Sequence, residues 1–142
     1  MAEKLLVTVV KAVNLLSKDS NGLSDPYVVL KVGAARCRTR TVPETLDPVF
    51  DETFVLSVNQ FEPVRVEVWD YDQLSQDDFE GGFTLNWWTI DALVQTGAVD
   101  GLAFALKSGH GMRKNVDVQG EVVLNLRLAN FAKDLQERGR LT

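Results

Sequence analysis

Val64-Arg65-Val66-Glu67-Val68-Trp69-Asp70-Tyr71-Asp72 alternates apolar and charged residues before it runs into a pair of aspartates. Valines at 64, 66 and 68 alternate with Arg65 and Glu67, and a period of two puts the valines on one side of an extended chain and the charges on the other. This is the pattern of a half-buried antiparallel strand with one face toward a core and one toward water. The same alternation returns near the end of the chain, where Val122, Leu124, Leu126 and Leu128 are interleaved with Glu121, Asn125 and Arg127.

Working outward, short runs rich in Val, Thr, Phe and Leu follow one another between clusters of Gly, Pro, Asn and Asp, the spacing expected of an all-β domain. Strands are expected at Lys4 to Lys11, Tyr27 to Val32, Arg36 to Val42, Thr53 to Val58, Val64 to Trp69, Gly82 to Trp87, Leu102 to Leu106 and Gly120 to Leu128. Eight strands with little helical pattern predict two packed sheets, an eight-stranded antiparallel β-sandwich with loops gathered at its ends. Thr89 to Thr96, stopped by Gly97, predicts a short helix between strands. Asn130 to Arg138 predicts a C-terminal helical tail capped by Asn130. The expected organisation is therefore one domain over residues 1–130, with 131–142 as a helical tail or linker.

Composition agrees with a single folded unit: 142 residues, 45% hydrophobic and 25% charged, can bury a sizeable core. The formal charge of −5 argues against nucleic acid as a partner, because phosphate backbones select basic surfaces. A single cysteine, Cys37, excludes an internal disulfide framework and predicts a reducing, cytoplasmic setting. With no apolar h-region near Met1 and no run of 18 apolar residues, any membrane contact is expected to be peripheral.

The chemistry is carried by two loops. The first, Lys18-Asp19-Ser20-Asn21-Gly22-Leu23-Ser24-Asp25, places two carboxylates six residues apart around a glycine turn; the second brings Asp70, Asp72 and then Asp78. One aspartate in a loop is best explained as a turn cap, but five in two loops that each open straight after a strand predict a metal site. Oxygen donors without His or Cys suit a hard cation, and a flexible carboxylate-rich site divided between loops favours calcium over magnesium. Two carboxylates about 5 Å apart repel by roughly 3 kcal/mol at an effective dielectric of 20, and a divalent ion relieves that repulsion.

These residues carry a resemblance. Asp19-x-x-Gly22-x-Ser24-Asp25-Pro26-Tyr27-Val28, then Thr45-Leu46-Asp47-Pro48-Val49-Phe50-Asp51-Glu52, then Val68-Trp69-Asp70-Tyr71-Asp72 with Asp78-Phe79-x-Gly81 resemble a C2 domain. The likeness is strongest from Leu5 to Gly81 and weakest from Asn86 to Gln119, where Trp87-Trp88 and the glycine-rich Ser108 to Arg113 stretch match nothing familiar. The resemblance implies two or three calcium ions, with Asp19, Asp25, Asp70, Asp72 and Asp78 as side-chain ligands and the carbonyls of Lys18 and Tyr71, and Ser75, completing the shells. Because the first aspartate loop follows the first strand and Gly120 to Leu128 closes the chain, the connectivity resembles the circularly permuted type II arrangement of the family.

A calcium-gated switch follows from charge. Five aspartates repel anionic lipid, whereas two or three calcium ions reverse the local potential within roughly 8 Å, a Debye length. Leu74, at a tip position the family often fills with an inserting apolar residue, and Leu23 are the expected membrane-inserting side chains. Polar Ser20 points to shallow entry. Arg36, Arg38 and Arg40 alternate on the third strand and are expected to share a face near Lys31. In C2 domains that bind phosphoinositides the matching positions here are Tyr27, Lys31, Arg38, Arg40 and Trp69, while Val29 and Asp77 depart from the usual Lys and Asn. The expected partner is thus an anionic phospholipid membrane, with phosphoinositide and protein partners as further expectations.

Two other classes compete with this reading. An enzyme lacks parts, since His110 is the lone histidine, in Gly109-His110-Gly111, and no nucleophile or phosphate-cradling motif occurs. A calcium-independent protein–protein interaction sandwich is the stronger rival, and it predicts a melting temperature that calcium leaves unchanged.

Overall fold

A computed structural model describes residues 3–17, 21–109 and 117–129. Among them are eight strands and one helix: β1 (Glu3–Val13), β2 (Pro26–Val32), β3 (Ala35–Arg38), β4 (Val49–Val58), β5 (Val64–Asp70), β6 (Asp78–Leu85), α1 (Trp87–Leu93), β7 (Ala98–Ala105) and β8 (Glu121–Leu128). One sheet has the order β4-β1-β8-β7 and the other β3-β2-β5-β6, with every pairing antiparallel. β8 lies between β1 and β7, so the first and last strands are neighbours, as the permuted connectivity requires.

The alternating residues meet between the sheets. Leu5, Val7 and Val9 of β1 and Val122, Leu124 and Leu126 of β8 face Val28 and Leu30 of β2 and Val66 and Val68 of β5, all buried. Leu128 lies at the margin of this core, partly buried. One side of the sandwich is closed by paired hydrogen bonds between Gly82 and Lys107.

Several boundaries differ from the sequence expectation, and bulges account for three of them. β4 begins at Val49 rather than Thr53, because an added residue at Asp51, with φ of +50°, lets the chain pair with β1 on both sides of the irregularity. β7 begins at Ala98 rather than Leu102. Val99 and Leu102 face Leu126 and Leu124, so one extra residue is absorbed, and Asn125 accepts from the Gly101 N–H there. β6 begins at Asp78 rather than Gly82: Val68 and Trp69 face Gly81 and Phe79, leaving Glu80 as the added residue. Gly81 has φ of +128°, and a Cβ there would come within 2.8 Å of Leu106 Cβ, so glycine is required on both counts.

The helix is displaced two residues toward the N-terminus. Asn86, not Thr89, starts it, its Oδ1 accepting from Thr89 N–H at 2.9 Å, and this cap also ends β6 at Leu85 rather than Trp87. The Trp87-Trp88 pair therefore opens a helix, with Trp87 packed against the core and Trp88 exposed. The strand expected over Arg36 to Val42 ends at Arg38, because Thr39 puts its own Oγ1 on the Val28 N–H and Val42, rather than Thr41, donates to the Pro26 carbonyl. The helical tail expected from Asn130 lies outside the described residues.

Candidate metal centre and the adjoining sheet face

The loops at one end of the sandwich are tied together by their own backbone. Pro26 lies opposite Asp70 and Asp70 opposite Asp78 in register, which brings three strand ends to one rim. Asp25 N–H donates to Asp70 Oδ1 at 2.8 Å, and Tyr71 N–H donates to the Asp25 carbonyl at 2.9 Å. The β3–β4 connection joins them: Glu44 N–H donates to Asp25 Oδ1 at 2.7 Å and Thr45 N–H to the Ser24 carbonyl at 2.8 Å. Asp70 is buried, Asp25 half-buried and Asp78 exposed.

Asp72 is turned another way. Its Oδ1 accepts from Leu74 N–H at 2.8 Å and Ser75 N–H at 3.2 Å, and its Oδ2 from Ser75 Oγ at 2.8 Å. These bonds, that of the Leu74 amide foremost and then the Ser75 hydroxyl, hold its carboxyl below the usual carboxylate range. Asp77 fixes the other side of the loop, its Oδ1 accepting from Asp72 N–H at 2.9 Å and its Oδ2 from the Tyr27 hydroxyl. Burial first, and then the bond to Asp77, push the Tyr27 phenol up to about 12.

The donor chemistry fits calcium, and Asp25, Asp70 and Asp78 border one rim. In this arrangement, however, no three acidic groups among the described residues are close enough to share an ion, and Asp72 caps its own loop. Lys18, Asp19 and Ser20 lie outside the described residues. Tyr71 and Ser75 are exposed beside Asp72. Leu74 is 94% exposed at the loop tip, whereas Leu23 is half-buried, its N–H held by Asn21 Oδ1 and its carbonyl by Ser17 Oγ.

The outer face of the β3-β2-β5-β6 sheet is organised by Glu67, for which a wet position was expected. It is fully buried: Lys31 Nζ lies 2.9 Å from Oε1, Arg65 Nε 3.2 Å from Oε2, and Trp69 Nε1 donates to Oε1 at 3.2 Å. Burial alone would raise its pKa, but the bonds from Lys31, Trp69 and Arg65 outweigh that and hold the carboxyl below the ordinary glutamate value. Arg38 lies over the Tyr27 ring, 3.5 Å from its centroid. Tyr27, Val29, Arg36, Cys37 and Arg38 line a shallow concavity of about 380 Å³. Arg40 does not share this face: with the strand ended, its guanidinium donates to the Phe50 carbonyl at 2.8 Å and the Val49 carbonyl at 3.1 Å and pairs with Glu52 at 3.4 Å.

Residues 3–106 match the family model of the C2 domain. The chain belongs to the C2 domain family. This C2 domain is similar to the eye isozyme of protein kinase C of Drosophila melanogaster, 36% identical over 90 residues that make up 58% of this chain and 13% of that protein. It is also similar to human synaptotagmin-3, 37% identical over 92 residues, 60% of this chain and 16% of that protein. In three dimensions it resembles the calcium-bound C2A and C2B domains of extended synaptotagmin 2, with a TM-score of 0.70 at 24% identity over 89% of this chain and 45% of that one. Human GIVD cytosolic phospholipase A2 gives a TM-score of 0.70 at 20% identity, over 90% of this chain and 17% of that one. The chain thus spans a small part of the relatives it matches. Among its described residues no helix is long and apolar enough to cross a membrane.

Sequence reasoning missed two members of this C2 domain's charged architecture. Glu67 sits at an alternating, outward position, and only the side chains folded over it reveal that it is buried. Glu80 is likewise fully buried, its Oε1 accepting from Ser24 Oγ at 2.8 Å; the bulge that turns it inward left no mark in the hydrophobic pattern.

Proposed function

We propose that this C2 domain is a non-catalytic module that docks on anionic phospholipid membranes when its two aspartate loops take up two or three calcium ions. The observation that carries this reading is the rim itself: Asp25, Asp70 and Asp78 border one end of the sandwich, beside a loop whose tip, Leu74, is almost wholly exposed. Oxygen donors alone fit a hard cation. Asp19, Asp25, Asp70, Asp72 and Asp78, the Lys18 and Tyr71 carbonyls, and Ser75 would hold the metal. Calcium, when bound, supplies positive charge at the rim and open coordination positions for lipid phosphate or carboxylate oxygens.

The chain's own residues do the rest. Asp72 Oδ1 accepts from the Leu74 and Ser75 N–H groups and Oδ2 from Ser75 Oγ, so metal binding at these oxygens and the shape of the 73–77 loop are coupled. Leu74 then enters the lipid boundary, where full burial of such a side chain is worth about 1.5–3 kcal/mol, and Leu23 follows from its half-buried position. Arg36 and Arg38 are the cations that face the concavity beside Tyr27, and an acidic headgroup such as a phosphoinositide is the ligand proposed there. Lys31 and Trp69, held by Glu67, and Arg40, held by β4, contribute less. The domain proper is assigned to residues 1–130, with 131–142 as a tail or linker, and the module is proposed to be cytoplasmic and peripheral.

The test is co-sedimentation with phosphatidylserine vesicles, with and without calcium, for wild type and for Asp70→Asn combined with Asp72→Asn. Calcium-dependent pelleting that disappears in the double variant is expected. No pelleting under any condition would overturn the membrane reading in favour of a calcium-independent protein-interaction module.

A further inference from the structure

Glu80 lies at the metal end of the sandwich but outside the donor set. Burying a carboxyl is unfavourable unless its oxygens are bonded, and this one is fully buried next to Phe79, itself 2% exposed. It is the added residue of the β6 bulge, a device that re-aims a side chain. Here the side chain is aimed across 56 positions of sequence at Ser24, whose Oγ donates to Glu80 Oε1 at 2.8 Å and which is also fully buried.

Ser24 immediately precedes Asp25. Asp25 itself is held by loop amides, Glu44 N–H on its carboxyl and Tyr71 N–H on its carbonyl, and by its own N–H donating to Asp70 Oδ1. From the inside, the chain is fixed by Ser24, held at its carbonyl by Thr45 N–H and at its side chain by Glu80. The Glu80–Ser24 bond is therefore a contact that ties the first aspartate loop to β6, the strand that begins with Asp78. Ligand geometry is commonly set by such supporting contacts behind the donors.

We propose that Glu80 is a positioning residue that sets the calcium affinity of the rim by holding Ser24, and through it Asp25, against β6; this rests on reading the rim as a calcium site. The role requires an acceptor at Glu80 and a hydroxyl at Ser24.

The experiment compares wild type with Ser24→Ala, Glu80→Leu and Glu80→Gln in the full chain, by backbone amide exchange without metal and by calorimetric titration with calcium chloride. In Ser24→Ala and Glu80→Leu, loss of the buried bond is expected to speed exchange at Glu44 and Thr45 by about tenfold relative to Val66, and to weaken calcium binding by about tenfold. Glu80→Gln keeps an oxygen for Ser24 and is expected to stay within about threefold of wild type on both measures. Exchange that rises equally at Val66 with calcium affinity unchanged would reduce Glu80 to a stability residue and overturn the proposal. Glu80→Gln falling as far as Glu80→Leu would overturn it too, by making charge rather than position the cause. A wild type that takes up no calcium would defeat the reading of the rim and the affinity claim with it, while the exchange pattern still decides whether Glu80 holds Asp25.

Discussion

Glu67 and the aspartates of the rim are carboxylates in two different settings on one sheet. Glu67 has Lys31, Arg65 and the Trp69 indole folded over it. Its charge is answered within the domain, while Arg36 and Arg38 line the concavity beside Tyr27. At the rim, the bonds found on Asp25 and Asp72 come from backbone N–H groups and one hydroxyl. Such neutral donors orient a carboxylate without cancelling its charge. The same functional group is thus neutralised at Glu67, where the fold supplies cations, and keeps its charge at Asp25 and Asp72, where the bonds found come from neutral donors.

The sharpest way to break this contrast is to remove the self-contained carboxylate. Glu67→Ala leaves Lys31 and Arg65 without their shared carboxylate, and because these side chains are 27% and 22% exposed the cost lies at the low end of the range for breaking a buried pair, about 3 kcal/mol. Urea unfolding should show that loss, while the calcium-induced rise in melting temperature remains. The pH dependence has a definite sign. A folded-state pKa below the ordinary glutamate value of 4.5 means that the contribution of Glu67 is fully present above that value and is lost as pH falls through the folded-state pKa. The gap between wild type and Glu67→Gln should accordingly be full at pH about 6 and narrow as pH drops below about 4.5.

The rim should respond in the opposite way. At calcium a hundred times its Kd, the native state gains about 2.7 kcal/mol. Asp70→Asn with Asp72→Asn should abolish that gain in differential scanning calorimetry, while stability without calcium changes by no more than about 1 kcal/mol, because an asparagine oxygen still accepts from the Asp25, Leu74 and Ser75 N–H groups. If calcium stabilises this double variant as much as wild type, the two settings are not functionally distinct. A smaller effect is expected at the loop tip. Leu74→Ala removes apolar surface that is 94% exposed in the free domain, so its melting temperature should not move, whereas vesicle affinity should fall by about tenfold if a side chain worth 1.5–3 kcal/mol enters the lipid. Smallest is Tyr27→Phe, which deletes one bond to Asp77 and should lower stability by about 1 kcal/mol in urea unfolding, with calcium binding retained.

Much of the molecule was legible from residue order because the relevant physics is local. Val66 and Val68, or Val122, Leu124 and Leu126, declare their shared face by a period of two, and all are buried. Asp70 was likewise expected at the end of its strand, and antiparallel pairing sets it opposite Pro26 and Asp78, but Asp78 opens a strand that was expected to begin only at Gly82. Errors fell where one residue too many enters a ladder. At Asp51, Glu80 and the Asp100-Gly101 step the bulges extend strands past the expected limits, and after Arg38 an irregular pairing turns Arg40 to β4. The helix start was misplaced because Asn86 caps it through one side-chain bond that leaves hydrophobic periodicity unchanged.

Sequence by itself determined the sheet class, the composition of the core and the supply of oxygen donors, since each depends on residue type and on the two-residue repeat of an extended chain. Tertiary structure alone decided which carboxylates are spoken for. Whether Glu67 meets Lys31 and Arg65, Glu80 meets Ser24, or Asp72 turns to Leu74 and Ser75 depends on bulges, caps and cross-strand register that bring residues together across the fold. A charge in water and a charge among fixed partners differ in free energy by an amount no one-dimensional pattern records.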